Sequence, residues 1–389
     1  MNVWVIEPRD PVIFRDGRPF GRTPGARALS LPFPFPSTIA GAVRTRDGLD
    51  ACGAFAKSEI PRVKQLEVRG PLLVELDDDG DVADWYAPAP ADAVLFEAAE
   101  SAPGKVVIRP CVPLQLPPGT ETTLPDGLVP VGLSVRDPRK SYERAPRFWS
   151  WRSFERWLIE PREVEDVVAN IGFDGPGAES RMHVGIRPDT LTADEENGAL
   201  FQTRGLEFTY VRAKPSLRGA RRLALVVATD ANKLKPGVSR LGGEGRLVFW
   251  RRSKRDLPPL PSELKDEIAA QRHCRVVLLT PAYFREGWKP FWLLSSRFGV
   301  TPCLRALALR GPQVVSGWDV EKGEAKPTRR LVPAGTVFFL SLHGESTSIR
   351  TWVENVWMRC VSDEDQDRRD GFGLAAAGVW DGTLHRLEV

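Results

Sequence analysis

The chain has 389 residues, 42% of them apolar and 27% charged, which is enough for two cores of ordinary size and far from the composition of chains that stay disordered. Its 54 Lys and Arg against 51 Asp and Glu leave a net charge of only +3, so any basic surface must come from distribution rather than from excess. Five scattered cysteines with no CxxC pair, no apolar run of about 18 residues and an opening MNVWVIEPRD without a basic leader speak against disulfides, zinc knuckles and membrane spans, and predict a soluble, cytoplasmic protein with free thiols.

Residues 2–7, NVWVIE, predict a strand, and PRDPVIFRDGRPF an exposed loop with basic side chains at Arg9, Arg15 and Arg18 around a turn at Asp16 and Gly17. LPFPFPST ends in Ser37, a suitable N-cap, and IAGAVRTRDG puts Ile39, Ala42 and Val43 on one helical face before Gly48. From Leu66 a hairpin is predicted, with Asp77, Asp78, Asp79 and Gly80 supplying the turn. Residues 101–147 are rich in Pro, Gly and Arg, and Arg136, Arg139, Lys140, Arg144 and Arg147 make this insertion basic. Trp151, Phe154, Trp157 and Leu158 then recur at helical spacing, which predicts a helix with a core-facing aromatic side.

The glycine-dense stretch 171–181 breaks that pattern and predicts a boundary between domains 1–175 and 176–389. In the second half, 221–229, 245–250, 275–284 and 335–342 predict strands, and PSELKDEIAA a helix capped by Ser262. Strands and helices in this alternation predict an α+β fold with helices on one face of a sheet.

No phosphate loop, HExxH, GxSxG elbow or dinucleotide fingerprint occurs, so no catalytic residue, cofactor or metal site is expected. The four histidines, His183, His273, His343 and His385, lie far apart. His183 beside Arg181 offers the one enzymatic alternative, a metal-independent endoribonuclease with His183 as base, but a third group to orient it is missing. Two glycine clusters are sharper: RLGGEGR (240–246) and GFGLAAAG (371–378). Closely spaced glycines let backbone N–H groups approach a phosphate, while the plainer alternative is two tight turns. Basic runs at 212–222, 250–255 and 326–330 are singly no more than solvated faces. Together with the glycine loops they suit a phosphate backbone.

Set in order, FRDGRPF (14–20), FPFPSTIAGAVRT (33–45), RMHVGI with GALFQTRGLEF (181–208), RLGGEGR (240–246), GWDVEKGEAKPTRRLVPAGTVFFL (317–340) and GFGLAAAG (371–378) resemble the family of the third subunit of the type III-B CRISPR effector, the Cmr complex, in the repeat-associated mysterious protein (RAMP) superfamily. The resemblance spans nearly the whole chain. It implies two tandem ferredoxin-like domains, similar to RNA-recognition motifs, with glycine-rich loops and insertions. It also implies a non-catalytic antiviral role: binding the 5′ tag of the crRNA, bridging the large polymerase/cyclase-like subunit to the backbone RAMP subunit, and meeting target RNA only indirectly. The equivalent subunit of a type III-A (Csm) complex is the alternative within the superfamily.

The aromatic consensus of an RNA-recognition motif is not evident, so RNA is expected on loops rather than on an open sheet. On that reading Gly242, Gly243, Gly371 and Gly373 face tag phosphates, with Arg15, Arg18, Arg44, Arg240, Arg246, Lys326, Arg329 and Arg330 supplying charge. Arg139, Lys140 and Tyr142 would clamp a splayed base, and Arg181 and His183 complete the set.

Overall fold

The Asn2–Pro8 strand is buried on both faces because alternate residues serve different cores: Val3 and Val5 join one cluster, Trp4 and Ile6 the other. It pairs antiparallel with Arg221–Thr229 on one side and Leu247–Arg252 on the other, Val5 lying opposite both Val226 and Arg251. Val226 is wholly buried, as are Leu73 and Val74 on the neighbouring Val68–Leu76 strand. Each such side chain contributes roughly 1.5–3 kcal/mol by leaving water. The computed structural model describes every residue except 16–26, 29, 51, 99–103, 195–199, 211–219, 320–322 and 387–389.

The first sheet runs in the order Gly172–Phe173, Phe148–Ser150, Val82–Pro88, Val68–Leu76, Arg221–Thr229, Asn2–Pro8, Leu247–Arg252, Gly237–Arg240, with Thr209–Tyr210 added beside Arg221–Thr229. The second runs Thr301–Ala308, Val337–His343, His273–Leu278, Leu374–Val379, Arg359–Cys360. Helix Pro36–Asp47 covers the Trp4 and Ile6 face with Ile39, Ala40 and Val43. Helix Trp151–Ile159 buries Phe154, Trp157 and Leu158 in the other core, which is continuous with the second sheet and its helices Ser262–Gln271 and Ser346–Val356. Arg275, 1% exposed, ties these layers by donating to Asp92 at 2.5 Å, to the Trp157 carbonyl at 2.6 Å and to the Val379 carbonyl at 2.9 Å.

The α+β class stands, but three local expectations do not. The division at 175/176 is not the one the sheets follow: 221–252 completes the first sheet, because Arg221–Thr229 is the middle partner of Asn2–Pro8 and Val68–Leu76, and the second sheet begins only at His273. Ser37 lies inside its helix, which starts at Pro36, a residue with no N–H to satisfy. Ser262 is likewise the first helical residue, behind Pro261. Ser150, in contrast, accepts from the Ser153 N–H at the helix start. The basic insertion holds strands Lys105–Pro110, Val112–Gln115 and Val131–Gly132. All five cysteines are unpaired, and no described helix is long and apolar enough to cross a membrane.

Candidate nucleic-acid interface

Between the two sheets lies a cleft of about 460 Å³. One wall is the segment 31–36, where Pro at every second position fixes an extended backbone and removes N–H donors that would otherwise need partners. Its Phe33 ring sits 5.1 Å from that of Phe148. Tyr86 and Leu73 from the first sheet form another wall, and Thr280 and Pro281, just past the His273–Leu278 strand, face them. The Tyr86 hydroxyl donates to Glu75 at 2.9 Å, and its buried ring packs edge-on against Phe173 with centroids 4.8 Å apart.

Two cations line this apolar space, Arg147 and Arg310. No carboxylate lies within ion-pair distance of either among the described residues, whereas Arg44, Arg139 and Arg329, also expected to face RNA, each have one. Arg147 is exposed as a whole residue, yet the protein around its guanidinium draws it below the ordinary value by burial, against the pull of Asp174. Such a group is stabilised by an incoming anion. From the same rim rises the hairpin Gln313–Asp319 and Glu324–Leu331. Val314 lines the cleft and is paired with exposed Arg330, so the two share a face.

The structure scatters the residues expected from sequence. Arg15, Arg240, Arg246, Gly242 and Gly243 do gather: the Gly243 N–H donates to the Ile13 carbonyl at 2.7 Å and Arg15 packs alongside. A Cβ on Gly242 would come within 2.4 Å of that same carbonyl, so close backbone approach explains the glycine, and the Gly243 N–H is already engaged. Gly371 and Gly373 are buried rather than phosphate-facing. Their N–H groups donate to the Arg368 and Pro281 carbonyls, and a Cβ on Gly371 would strike the Gly70 carbonyl at 2.5 Å. They close the wall behind Thr280, whose hydroxyl donates to the Gly371 carbonyl.

The expected clamp does not form either. Arg139 is held by Asp137 at 2.6 and 2.9 Å, Lys140 pairs with Glu143 at 3.0 Å, and Tyr142 packs on the core. Arg44 pairs with Asp370 at 2.5 Å. Arg329 binds both oxygens of Asp367, at 2.7 and 3.0 Å, under the rings of Tyr283 and Phe372. Lys326 and Arg330 stay exposed on the hairpin. Arg181 pairs with Glu179 at 2.5 Å, and His183 contacts Thr203 Oγ1 at 2.8 Å while stacking on Phe201. Among the described residues no group of three metal-ligating side chains occurs. Arg18, with Arg212, Lys214 and Arg218 of the basic run, lies outside the described residues.

Sequence reasoning missed Arg310, gave Arg147 only a general basic role, and did not assign the aromatic wall. The one sequence signal for that wall is the alternation LPFPFP, too regular for an ordinary loop.

A family described as CRISPR-associated protein (Cas_Cmr3) matches residues 4–380. Among solved structures, a chain of the type III-B Cmr-beta complex bound to cognate target RNA aligns with 15% identity and a TM-score of 0.46, covering 96% of each chain. A chain of the same complex bound to target RNA and AMPPnP gives 16% identity and a TM-score of 0.45 over 91% of this chain and 88% of that one. A chain of the Csm3–Csm4 subcomplex of the type III-A interference complex gives 10% and 0.35 over 89% and 94%. No curated protein matches by sequence.

Proposed function

The chain belongs to the Cas_Cmr3 family of CRISPR-associated proteins, and from that premise we propose that it is a non-catalytic guide-RNA-binding subunit of a type III-B effector, working in the cytoplasm in antiviral defence. It grips the 5′ tag of the crRNA in the cleft between its sheets and meets target RNA only indirectly. It bridges the large polymerase/cyclase-like subunit to the backbone subunit.

The observation that carries this reading is the pair Arg147 and Arg310, cations without a carboxylate partner among the described residues, in a cleft lined by Phe33, Tyr86 and Phe148. A single strand needs both elements, charge for its phosphates and rings for its bases. Arg330 extends the charge along the hairpin.

The two halves are read as ferredoxin-like units. Numbered by chain position, the strands Leu247–Arg252, Asn2–Pro8, Arg221–Thr229 and Val68–Leu76 lie side by side as fourth, first, third and second. Leu374–Val379, His273–Leu278, Val337–His343 and Thr301–Ala308 repeat that order, and every adjacent pair is antiparallel. Each half keeps one full crossover helix, Pro36–Asp47 in the first and Ser346–Val356 in the second.

Cross-linking tests the placement. With photoreactive nucleotides in the tag of a guide RNA, adducts are expected at the cleft walls and should vanish in the Arg147→Glu/Arg310→Glu double variant. Adducts confined to the Arg15 and Arg240 patch would refute it.

A further inference from the structure

A two-residue turn on the rim of a second cavity holds an aromatic side chain that its backbone disfavours. Arg297 and Val300 exchange both backbone hydrogen bonds at 2.9 Å, and between them Phe298 and Gly299 have φ of +51° and +74°. Turns with both central residues left-handed suit Asn-Gly or Gly-Gly, because a Cβ there crowds the neighbouring carbonyl. Gly299 conforms. Phe298 does not, and packing offers little in return, since it is 50% exposed. Strain of this kind persists only where the surroundings impose it, and it gathers at ligand clamps.

The cavity itself, about 480 Å³, lies at the seam, with Glu67 and Asp230 from the first-sheet side and Trp292, Arg297, Arg359 and Arg368 from the other. It shares no lining residue with the cleft described above. The guanidinium groups of Arg297 and Arg368 lie 4.5 and 5.3 Å from the centre of the Trp292 ring. Arg368 is fixed by the Ser362 and Asp363 carbonyls, both at 2.6 Å. Burial holds it below its ordinary value, with the Arg297 charge adding to that and Asp365 opposing it. Arg297 uses its Nε on Ser295 Oγ at 2.8 Å, and Arg359 has Glu67 no nearer than 3.8 Å. Crowded like charges of this sort favour an anion.

We propose that this cavity is a nucleotide site in which the base stacks on Phe298 and the phosphate is held by Arg297 and Arg359. Glu67 and Asp230 add acceptors suited to ribose hydroxyls or an exocyclic amine. A bare anion would leave the ring unused, and a bare ring would leave Arg297 without a counter-charge beyond those that Glu67 and Asp365 give Arg359 and Arg368. The source is either a free mononucleotide or one residue of a single strand. The site stands independently of the cleft and of its RNA.

The test is calorimetric titration of the full chain with AMP, adenosine, inorganic phosphate and tetra-adenylate. AMP should bind, and adenosine or phosphate alone at least about tenfold more weakly. Phe298→Gly should weaken AMP about tenfold, the size of one base–aromatic stack, with a thermal midpoint unchanged or raised because glycine suits the left-handed backbone. Arg359→Gln should weaken AMP and leave adenosine alone. Tetra-adenylate binding tighter than AMP identifies a strand as the source, and equal affinity a free nucleotide. Absence of AMP binding at millimolar concentration, or AMP binding that both variants leave intact, overturns the site.

Discussion

Arg44, on the Pro36–Asp47 helix of the first half, donates at 2.5 Å to Asp370, in the turn before the last strand of the second sheet. The pair is 14% and 10% exposed, and the same guanidinium also reaches the Leu66 carbonyl at 3.1 Å. Arg44→Ala should therefore cost about 3 kcal/mol, since it leaves a largely buried carboxylate unpaired. Lys105→Ala, breaking the exposed pair with Glu165 at 3.0 Å, should cost less than about 1 kcal/mol. Urea unfolding of the two variants checks the ranking, and an equal loss in both would show that the seam does not depend on Arg44.

Asp137 supplies an acid-sensitive anchor for the insertion. Hydrogen bonds from Arg139 first, then from Arg109, hold its carboxyl well below its ordinary 3.8. Folding favours the ionised form, so the stabilisation is whole above pH about 4 and is lost as pH falls toward the folded value. Asp137→Asn should be less stable than wild type at pH 7, with the gap narrowing steadily as pH falls below about 4. Parallel urea curves at each pH would reveal a constant gap if the pairing were unimportant.

What sequence revealed and what it hid divide along sequence distance. NVWVIE and RRLALVVAT are legible as strands from local apolar content, but their pairing joins residues 2–8 to 221–229 and carries no local mark. The boundary expected at 175/176 carries no trace of that pairing for the same reason. Arg44 and Arg329 look like free cations in sequence because their carboxylates, Asp370 and Asp367, come from far along the chain. The glycine of Gly371 answers the Gly70 carbonyl in the same way. Arg139 was different: Asp137 stands two residues away, and the pair was readable. Arg310 had no motif around it, so only the fold could show it beside Arg147.

Thiol chemistry offers a check on the cores. Cys52 and Cys303 are exposed, whereas Cys274 and Cys360 are buried. Burial pushes Cys360 up to about 12 and Cys274 higher still, and it raises half-buried Cys111 to about 11. Since the thiolate is the nucleophile, a disulfide reagent at pH 8 should modify two thiols rapidly and the other three slowly. All five should react together in denaturant. Rapid modification of Cys274 would mean that the second sheet opens far more readily than its packing implies.

Salt dependence separates cations that neutralise RNA from those already neutralised by the protein. A strand that places phosphates on Arg147 and Arg310 releases counterions there, and each lost contact should lower the slope of log affinity against log salt by about 0.7. Arg147→Ala and Arg310→Ala should each show that change, and the double variant about twice it, in guide-RNA titrations from low to physiological salt. Arg139→Ala should leave the slope where it was, because the charge removed is one that Asp137 already balances. The comparison holds even if a variant weakens binding through lost packing, since packing changes the intercept and not the slope. A slope that falls for Arg139 and not for Arg147 would move the RNA path out of the cleft and onto the insertion.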